Sequence, residues 1–336
     1  MLRVLKWAAA LVFAAALCAA GALWWYVKDS VLPFPQDKET AVLTVKSGEN
    51  LRRIVANIRA LGIDVNADIA AVYFRYKKID RSIHAGRYAL NKGLTLETLG
   101  EKLASGDILM GKATLVEGNR SDALFAQIRS NPDVETVSDA MSDEEINKAV
   151  GLEPGMSLEG WIAPDTYVFA AGDKDIRVLK RACDEQKKRL KQVWETRDKS
   201  LTLKNPYELL IFASLIEKET GVEEDRKLVS SVFHNRLSKG MMLQTDPSVI
   251  YGIKDFDGVI RRSHLKTDTP YNTYTRKGLP PTPITNPSLK SLQAAANPDK
   301  TDYLYFVAKG EGKSHFSKSL REHNTAVHKY LRSQGK

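Results

Sequence analysis

Two carboxylates, Glu217 and Glu219, close the apolar run Leu209-Leu210-Ile211-Phe212-Ala213-Ser214-Leu215-Ile216. Burial disfavours the charged form of a carboxylate, and the negative end of a helix dipole disfavours it again. Both effects raise the pKa, as a general acid working near neutrality requires. Two residues apart, the side chains point about 200° apart around a helix, so they cannot form a side-by-side dyad. Small Ala213 and Ser214 beneath Glu217 leave room for a ligand, whereas Leu215 and Ile216 beneath Glu219 fill space. On that ground Glu217 is the candidate acid. Either carboxylate could instead pair with Lys218 or Arg226 as a plain ion pair.

The elements that position this pair are legible around it. Asn205-Pro206-Tyr207-Glu208 reads as a helix start, with Asn as N-cap, Pro first and Glu third to complete a capping box. Gly221 is the expected stop. A helix apolar nearly all round belongs in a domain core. Upstream, residues 158–167 interrupt a charged, mostly helical segment and gather Gly160, Trp161, Pro164 and Tyr167, either as a ligand-lining loop or as a Trp plugging a core edge. Residues 176–197 read as a charged helix. A strand at 303–308, a Gly310/Gly312 turn and a terminal helix over Leu320–Ser333 end the chain. His234, His264, His315, His323 and His328 crowd the last third, but no His-Glu-x-x-His occurs, and His323 and His328 lie five apart, off one helical face. Neither a metal nor a cofactor is expected. The chain carries no G-x-S-x-G and no P-loop, which argues against that type of serine hydrolase and against a P-loop nucleotidase.

Residues 7–27 form an uninterrupted apolar stretch, long enough as a helix to cross ~30 Å of hydrocarbon. Trp24, Trp25 and Tyr26 sit where an aromatic belt would meet the headgroups. Arg3, Lys6 and the amino terminus precede the stretch, so the positive-inside bias puts the N-terminus in the cytoplasm and the rest outside. The bulky aromatics and the length favour an uncleaved anchor over a signal peptide; Leu17 before Cys18 disfavours a lipoprotein site. The other cysteine, Cys183, reads as a buried small apolar residue. Over 336 residues, 43% hydrophobic and 27% charged content describes a folded chain rather than a disordered one or a multi-span transporter. The net charge of +9, from 50 Lys+Arg against 41 Asp+Glu, suits a polyanion such as an acidic wall polymer or anionic lipid. Export from the cytoplasm sets nucleic acid aside.

After a Pro33/Pro35 linker, a strand–turn–helix unit recurs. Val45-Lys46-Ser47-Gly48-Glu49-Asn50-Leu51-Arg52-Arg53-Ile54 parallels Leu90-Asn91-Lys92-Gly93-Leu94-Thr95-Leu96-Glu97-Thr98-Leu99, and Leu115 to Leu124, through Gly118, is a looser echo. The unit resembles the LysM module, a small fold that binds N-acetylglucosamine-containing glycans; a generic αβ packing unit has the same pattern.

A wider resemblance starts at Ala213-Ser214-Leu215-Ile216-Glu217-Lys218-Glu219-Thr220, which is similar to the catalytic-helix motif of the endolytic murein transglycosylases, the MltG/YceG family. It continues through Val232-Phe233-His234-Asn235-Arg236-Leu237, Leu243-Gln244-Thr245-Asp246-Pro247-Ser248-Val249-Ile250-Tyr251-Gly252, Thr269-Pro270-Tyr271-Asn272-Thr273-Tyr274, Gly278-Leu279-Pro280-Pro281 and Tyr303-Leu304-Tyr305-Phe306-Val307. Glu159-Gly160-Trp161 and Pro164-Asp165-Thr166-Tyr167 upstream and His323-Asn324 downstream match as well. At Pro281-Thr282-Pro283-Ile284 the chain departs from the family's Pro-Gly-x-Ile, which puts the local loop shape in doubt.

The resemblance implies cleavage of the β-1,4 bond between N-acetylmuramic acid and N-acetylglucosamine within peptidoglycan strands. One carboxyl protonates the leaving oxygen, then deprotonates the muramic 6-hydroxyl, which attacks its own C1 and leaves a 1,6-anhydro end. The nucleophile is intramolecular, so no second carboxylate is needed. On this reading Glu217 is catalytic; Gln244, Thr245, Asn272 and Thr273 hydrogen-bond the sugars; Tyr251, Tyr271, Tyr274 and Trp161 line the glycan site; and Asp246 forms a turn or positions the sugar. Implied partners are peptidoglycan strands, the membrane through the N-terminal helix, and peptidoglycan synthases whose nascent strands would be terminated.

The expected fold is α+β: a single transmembrane helix, a small LysM-like αβ module and a larger mixed α/β catalytic domain. Expected boundaries are 1–29 for the cytoplasmic tip and anchor, 30–40 for the linker, 41–112 for the glycan-binding module and 113–336 for the catalytic domain. The expected location is the inner (cytoplasmic) membrane, with the catalytic domain periplasmic. A muramidase using Glu217 and Asp246, and a non-catalytic wall-binding scaffold, are the alternatives.

Overall fold

The computed structural model describes residues 2–310 and 312–333, with side chains described from residue 6 onward. The amino-terminal group and the Arg3 side chain of the orientation argument, the centre of the expected Gly310/Gly312 turn, and the last residues of the expected catalytic domain lie outside the described residues.

The chain divides into two compact units, Met1–Gly111 with Val168–Asp173, and Lys112–Tyr167 with Lys174–Lys336. The first opens with helix α1 (Leu2–Lys28), whose Lys6–Lys28 stretch is long and apolar enough to cross a membrane. Then come β1 (Thr40–Val45), α2 (Leu51–Ala60), α3 (Ala67–Tyr76), β2 (Gly86–Asn91) and α4 (Leu96–Ser105). Strand β1 alternates exposed and buried residues, putting Ala41, Leu43 and Val45 on the core face, and pairs antiparallel with β2 from Thr40–Asn91 to Val45–Gly86. Local signals set the helix starts. Asn50 accepts a hydrogen bond from Arg53 N at 2.9 Å, and Thr95 and Thr98 form a reciprocal capping box. The amphipathic spacing of α2 then buries Ile54, Val55 and Ile58 against Leu43, Tyr88 and Leu99 in one core.

Two strands cross from one unit to the other, β3 (Met110–Leu115) and, later, β5 (Asp165–Ala170). Between them lie α5 (Ser121–Arg129), β4 (Val134–Glu135) and α6 (Asp143–Ala149). Each echo in the sequence is a strand, a glycine turn and a helix: β1–Gly48–α2, β2–Gly93–α4 and β3–Gly118–α5. After β6 (Asp173–Lys174), the second unit continues through α7 (Asp175–Glu195), α8 (Pro206–Glu219), α9 (Glu223–Ser238), α10 (Asp246–Tyr251), α11 (Arg262–Lys266) and α12 (Leu289–Ala296). The hairpin β7 (Tyr305–Gly310) with β8 (Lys313–Ser317) and helix α13 (Leu320–Ser333) complete it. Among the described residues the strands pair two by two, so the second unit is organised by helix packing rather than by a large sheet.

At its centre is α8. Every residue from Leu209 to Ile216 is buried, as an all-round apolar helix must be. Asn205 caps it by accepting from Glu208 N at 2.9 Å. Glu208 reaches past the cap to Lys204 N at 2.7 Å, so the expected reciprocal box closes one residue earlier in the chain. The other end also differs from expectation: Thr220 leaves the helix in an extended conformation (φ −147°, ψ 131°), and no left-handed glycine is used. Phe212 meets Phe233 of α9 edge-on at 6.1 Å and stacks on His234 at 4.1 Å. His234 Nε2 reaches the Ala295 carbonyl of α12 at 2.8 Å. Burial lowers the His234 pKa to about 4, so this residue is a neutral core histidine near pH 7. Cys183 is fully buried in α7, and burial pushes its thiol up to about 12.

Gly160, in the 158–167 loop, has φ +86°, and a Cβ there would sit 2.6 Å from Pro283 and 3.4 Å from Leu210. The loop therefore packs on α8 and the 283–288 segment only through a bare backbone. Gly160→Ala should destabilise the protein by about 2–4 kcal/mol, from overpacking plus left-handed strain, read as a lower denaturation midpoint. An unchanged midpoint would show that the contact yields freely.

Candidate active site

The pitch of α8 sends its two terminal carboxylates into different surroundings. Glu217 Oε2 accepts from Ser288 N at 2.8 Å, from Ser288 Oγ at 2.6 Å and from Arg226 Nη1 at 3.4 Å. Its side chain is 5% exposed and that of Arg226 8%. Arg226 also donates to Ser291 Oγ at 2.6 Å, while Ser288 caps α12 by accepting from Ser291 N at 3.3 Å. Glu217 thus ties α8, α9 and the start of α12 into one knot. The space that Ala213 and Ser214 would leave beneath it is filled by the chain itself: Ile284 N donates to Ser214 Oγ at 3.1 Å, and Pro283 and Ile284 are buried.

Glu219, the last residue of α8, is partly buried, and its Oε1 accepts a very short hydrogen bond from the Thr245 hydroxyl. Its pKa is raised to about 7. Desolvation is the main cause and the nearby Asp246 charge adds to it, against the Thr245 hydrogen bond and Arg236, which favour the anion. A carboxyl so placed is present in both protonation states near neutrality, which suits proton donation followed by proton acceptance.

The segment that carries Thr245 is held under strain. Gln244 has φ +51°, unusual for a residue with a Cβ. Arg236 of α9 fixes it, with Nε on Leu304 O at 2.7 Å and Nη1 on Leu243 O at 2.8 Å, Met242 O at 3.3 Å and Gln244 Oε1 at 3.4 Å. Gln244 N and Thr245 N in turn donate to Thr273 O and Oγ1 at 3.1 and 3.0 Å. Backbone strain that several partners enforce recurs at functional sites. Asp246 opens α10 and accepts from the Tyr274 hydroxyl at 2.6 Å; burial first, and then Asp246, push that phenol's pKa up.

The other residues singled out in the sequence divide into outward and inward groups. Tyr251 lies edge-on to Tyr271 at 4.8 Å and borders a cavity of about 310 Å³ with Lys218, Pro247 and Ile284. Tyr271 is held by Thr282 Oγ1 at 2.9 Å, so the residue at which the chain departs from the family pattern fixes a tyrosine of this wall. Asn272, in contrast, is buried; its amide donates to three carbonyls, His264, Leu265 and Thr267, and its Oδ1 accepts from Tyr274 N. Thr273 is buried among Thr245 and Ser248. Trp161 is buried and stacks on Tyr207 at 6.0 Å. All three are turned inward, and so is Thr245, which is 1% exposed. Sequence reasoning did not reach the Thr245–Glu219 bond or the Arg236 clamp; the only local signal was a carboxylate at the last helical position, with no bulky residue after it to cover it. Among the described residues, no three His, Cys, Asp or Glu side chains gather to hold a metal ion.

Residues 43–329 match the sequence model of the YceG-like family. The chain belongs to that family. The endolytic murein transglycosylase of Bacillus subtilis (strain 168) is 33% identical over 331 residues, spanning 94% of this chain and 91% of that protein. A protein of the same name from Streptococcus pneumoniae serotype 2 (strain D39 / NCTC 7466) is 29% identical over 360 residues, 96% of this chain but 65% of the longer relative. Among solved structures, a YceG-like protein from Listeria monocytogenes superposes with a TM-score of 0.52 at 28% identity, over 86% of this chain and 99% of that one.

For this YceG-like protein the raised pKa of Glu219 carries a consequence for stability. The folded state holds the Glu219 proton more tightly than an unfolded chain with the ordinary value of 4.5. The stabilisation is complete below pH 4.5 and is lost as pH rises through about 7. The melting temperature of Glu219→Gln should therefore gain on that of the parent between pH ~5 and ~8, other groups being common to both. Parallel curves would contradict the shift.

Proposed function

We propose that this chain is a membrane-anchored lytic transglycosylase acting within peptidoglycan strands, and that Glu219, rather than Glu217, is its proton donor and acceptor. The observation that carries the assignment is the contrast in the last turn of α8. Glu217 is engaged by Ser288 and Arg226, whereas Glu219 titrates near neutrality beside Thr245 and Asp246. Protonated Glu219 gives its proton to the glycosidic oxygen as the C1–O bond of the muramic residue breaks. The resulting carboxylate takes the proton of the 6-hydroxyl, whose oxygen bonds to C1 and closes the 1,6-anhydro ring. The same carboxyl is protonated again at the end, so the step needs no co-reactant and no second carboxylate. Names borne by relatives that align along nearly the whole chain support the substrate class.

Within this proposal Gln244, Tyr251, Tyr271 and Tyr274 face the glycan, buried Thr245 serves by holding Glu219 rather than by touching sugar, Asp246 orients Tyr274 and raises the Glu219 pKa, and Asn272, Thr273 and Trp161 support the fold behind them. Residues 1–29 would anchor the protein in the cytoplasmic membrane with the N-terminus inside. Residues 30–40 would link the anchor to a LysM-like glycan-binding module at 41–112, a reading supported by the β1–α2–α3–β2 order and the antiparallel β1–β2 pair. Residues 113–336 would be catalytic. Association with peptidoglycan synthases rests on family resemblance alone.

The test is full-length protein on intact sacculi, with products weighed by mass spectrometry. Anhydro ends, lighter by one water than hydrolytic ends, should appear with the parent and fall by about 10²–10⁴-fold with Glu219→Gln. Glu217→Gln should lower stability by about 1–3 kcal/mol while its folded fraction keeps turning over. Reducing ends would instead indicate a muramidase, and a folded but inactive Glu217→Gln beside an active Glu219→Gln would reverse the assignment.

A further inference from the structure

A second cavity, of about 460 Å³, opens in the same unit between the start of α5, α6 and the 157–159 loop. Its volume is within the ~300–1,000 Å³ of small-ligand sites. It shares Arg120 and Tyr251 with the 310 Å³ cavity beside Lys218, so the two flank one Arg–Tyr pair. Sugars are commonly held by open aromatic faces, yet both rings here are covered by cations. The Arg120 guanidinium lies 4.8 Å from the Tyr251 ring centre, and that of Arg129 lies 4.9 Å from Phe125. The walls are charges of both signs, including exposed Asp122 and Asp143.

One buried group also has bonding capacity to spare. Glu159 is 4% exposed. Its Oε1 is filled by Ser121 N at 3.0 Å, Ser121 Oγ at 3.2 Å and Asn286 Nδ2 at 3.2 Å. Its Oε2 has only the Tyr251 hydroxyl at 3.4 Å and Arg120 Nε at 4.0 Å, both long. Burial raises the pKa of this carboxyl, and Ser121 and Arg120 oppose the rise. An oxygen left short of donors at the wall of a charged cavity accommodates an N–H from a ligand.

We propose that this cavity binds the peptide carried by the muramic acid residue. Such a peptide brings amide N–H groups, an ammonium group and carboxylates, which match Glu159, Asp122 and Asp143 as acceptors and Arg120 and Arg129 as donors; Arg120 Nε sits 3.7 Å from Asp122 and Arg129 donates to Asp139 at 3.0 Å, so each guanidinium is oriented and keeps further N–H groups for a ligand. The inference rests on the peptidoglycan reading above and deepens it: a strand lying beside Lys218 and Tyr251 sends its peptide past the Arg120–Tyr251 pair. The site then makes the enzyme prefer peptide-bearing over naked strands.

The experiment uses the full chain in detergent and two substrates, peptide-bearing strands and the same strands stripped by an amidase. The ratio of kcat/KM between them should be about ten or more for the parent and fall about ten-fold, toward one, in the Asp122→Asn/Asp143→Asn double variant. Free muramyl tetrapeptide, titrated calorimetrically, should bind the parent and lose that binding in the double variant. A ratio of one in the parent, or the same ratio in both proteins, overturns the inference while leaving the transglycosylase reading intact. If neither substrate is cut, that reading fails and the calorimetry decides alone: heat lost in the double variant supports the site, and no heat with the parent overturns it.

Discussion

The hydroxyl of Thr245 on the carboxyl of Glu219 joins parts of the second unit that are remote in sequence. Helix α8 brings the carboxylate to its last turn, but the carboxylate's environment is made by residues 242–246. That segment is placed by Thr273 on one side and Arg236 on the other, and Arg236 is itself seated on the Leu304 carbonyl just before β7. The strained Gln244 is the cost of bringing Thr245 over the end of α8. A buried guanidinium satisfied mostly by carbonyls is well suited to hold such a backbone, because its donors are fixed in a plane.

The two carboxylates of α8 show how a difference of two residues places like groups in unlike surroundings. Around Glu217 the partners are a cation, a backbone N–H and a hydroxyl, all on elements that must stay packed. Around Glu219 the environment opposes charge, with Asp246 on the same side and only one hydroxyl and a more distant arginine in favour. A carboxylate satisfied like the first is costly to move, whereas one poised like the second can gain and lose a proton with little change in its surroundings.

Much of this was legible in the sequence where the rule is local. Asn205 caps the helix it precedes, each of the recurring glycine turns joins a strand to a helix, and the divergence of Glu217 and Glu219 follows from helical pitch alone. The pairing of Glu217 with Arg226 was one of the readings open from the sequence. The environment of each carboxylate was not legible, because it is set by chain far away: the small residues beneath Glu217 admit Ile284, some 70 positions on, rather than a ligand. Polar residues in the 272–273 loop look outward-facing by type, yet Asn272 spends its amide on three carbonyls of the preceding loop. The left-handed Gln244 has no signature in its residue type at all.

The most direct measurement is a carbon-13 NMR titration of the Glu219 carboxyl in the full chain, assigned by comparison with Glu219→Gln. The account predicts a midpoint near 7, moving higher in Thr245→Val as the hydrogen bond that favours the anion is removed. A midpoint at the ordinary 4.5, unmoved by Thr245→Val, would contradict it.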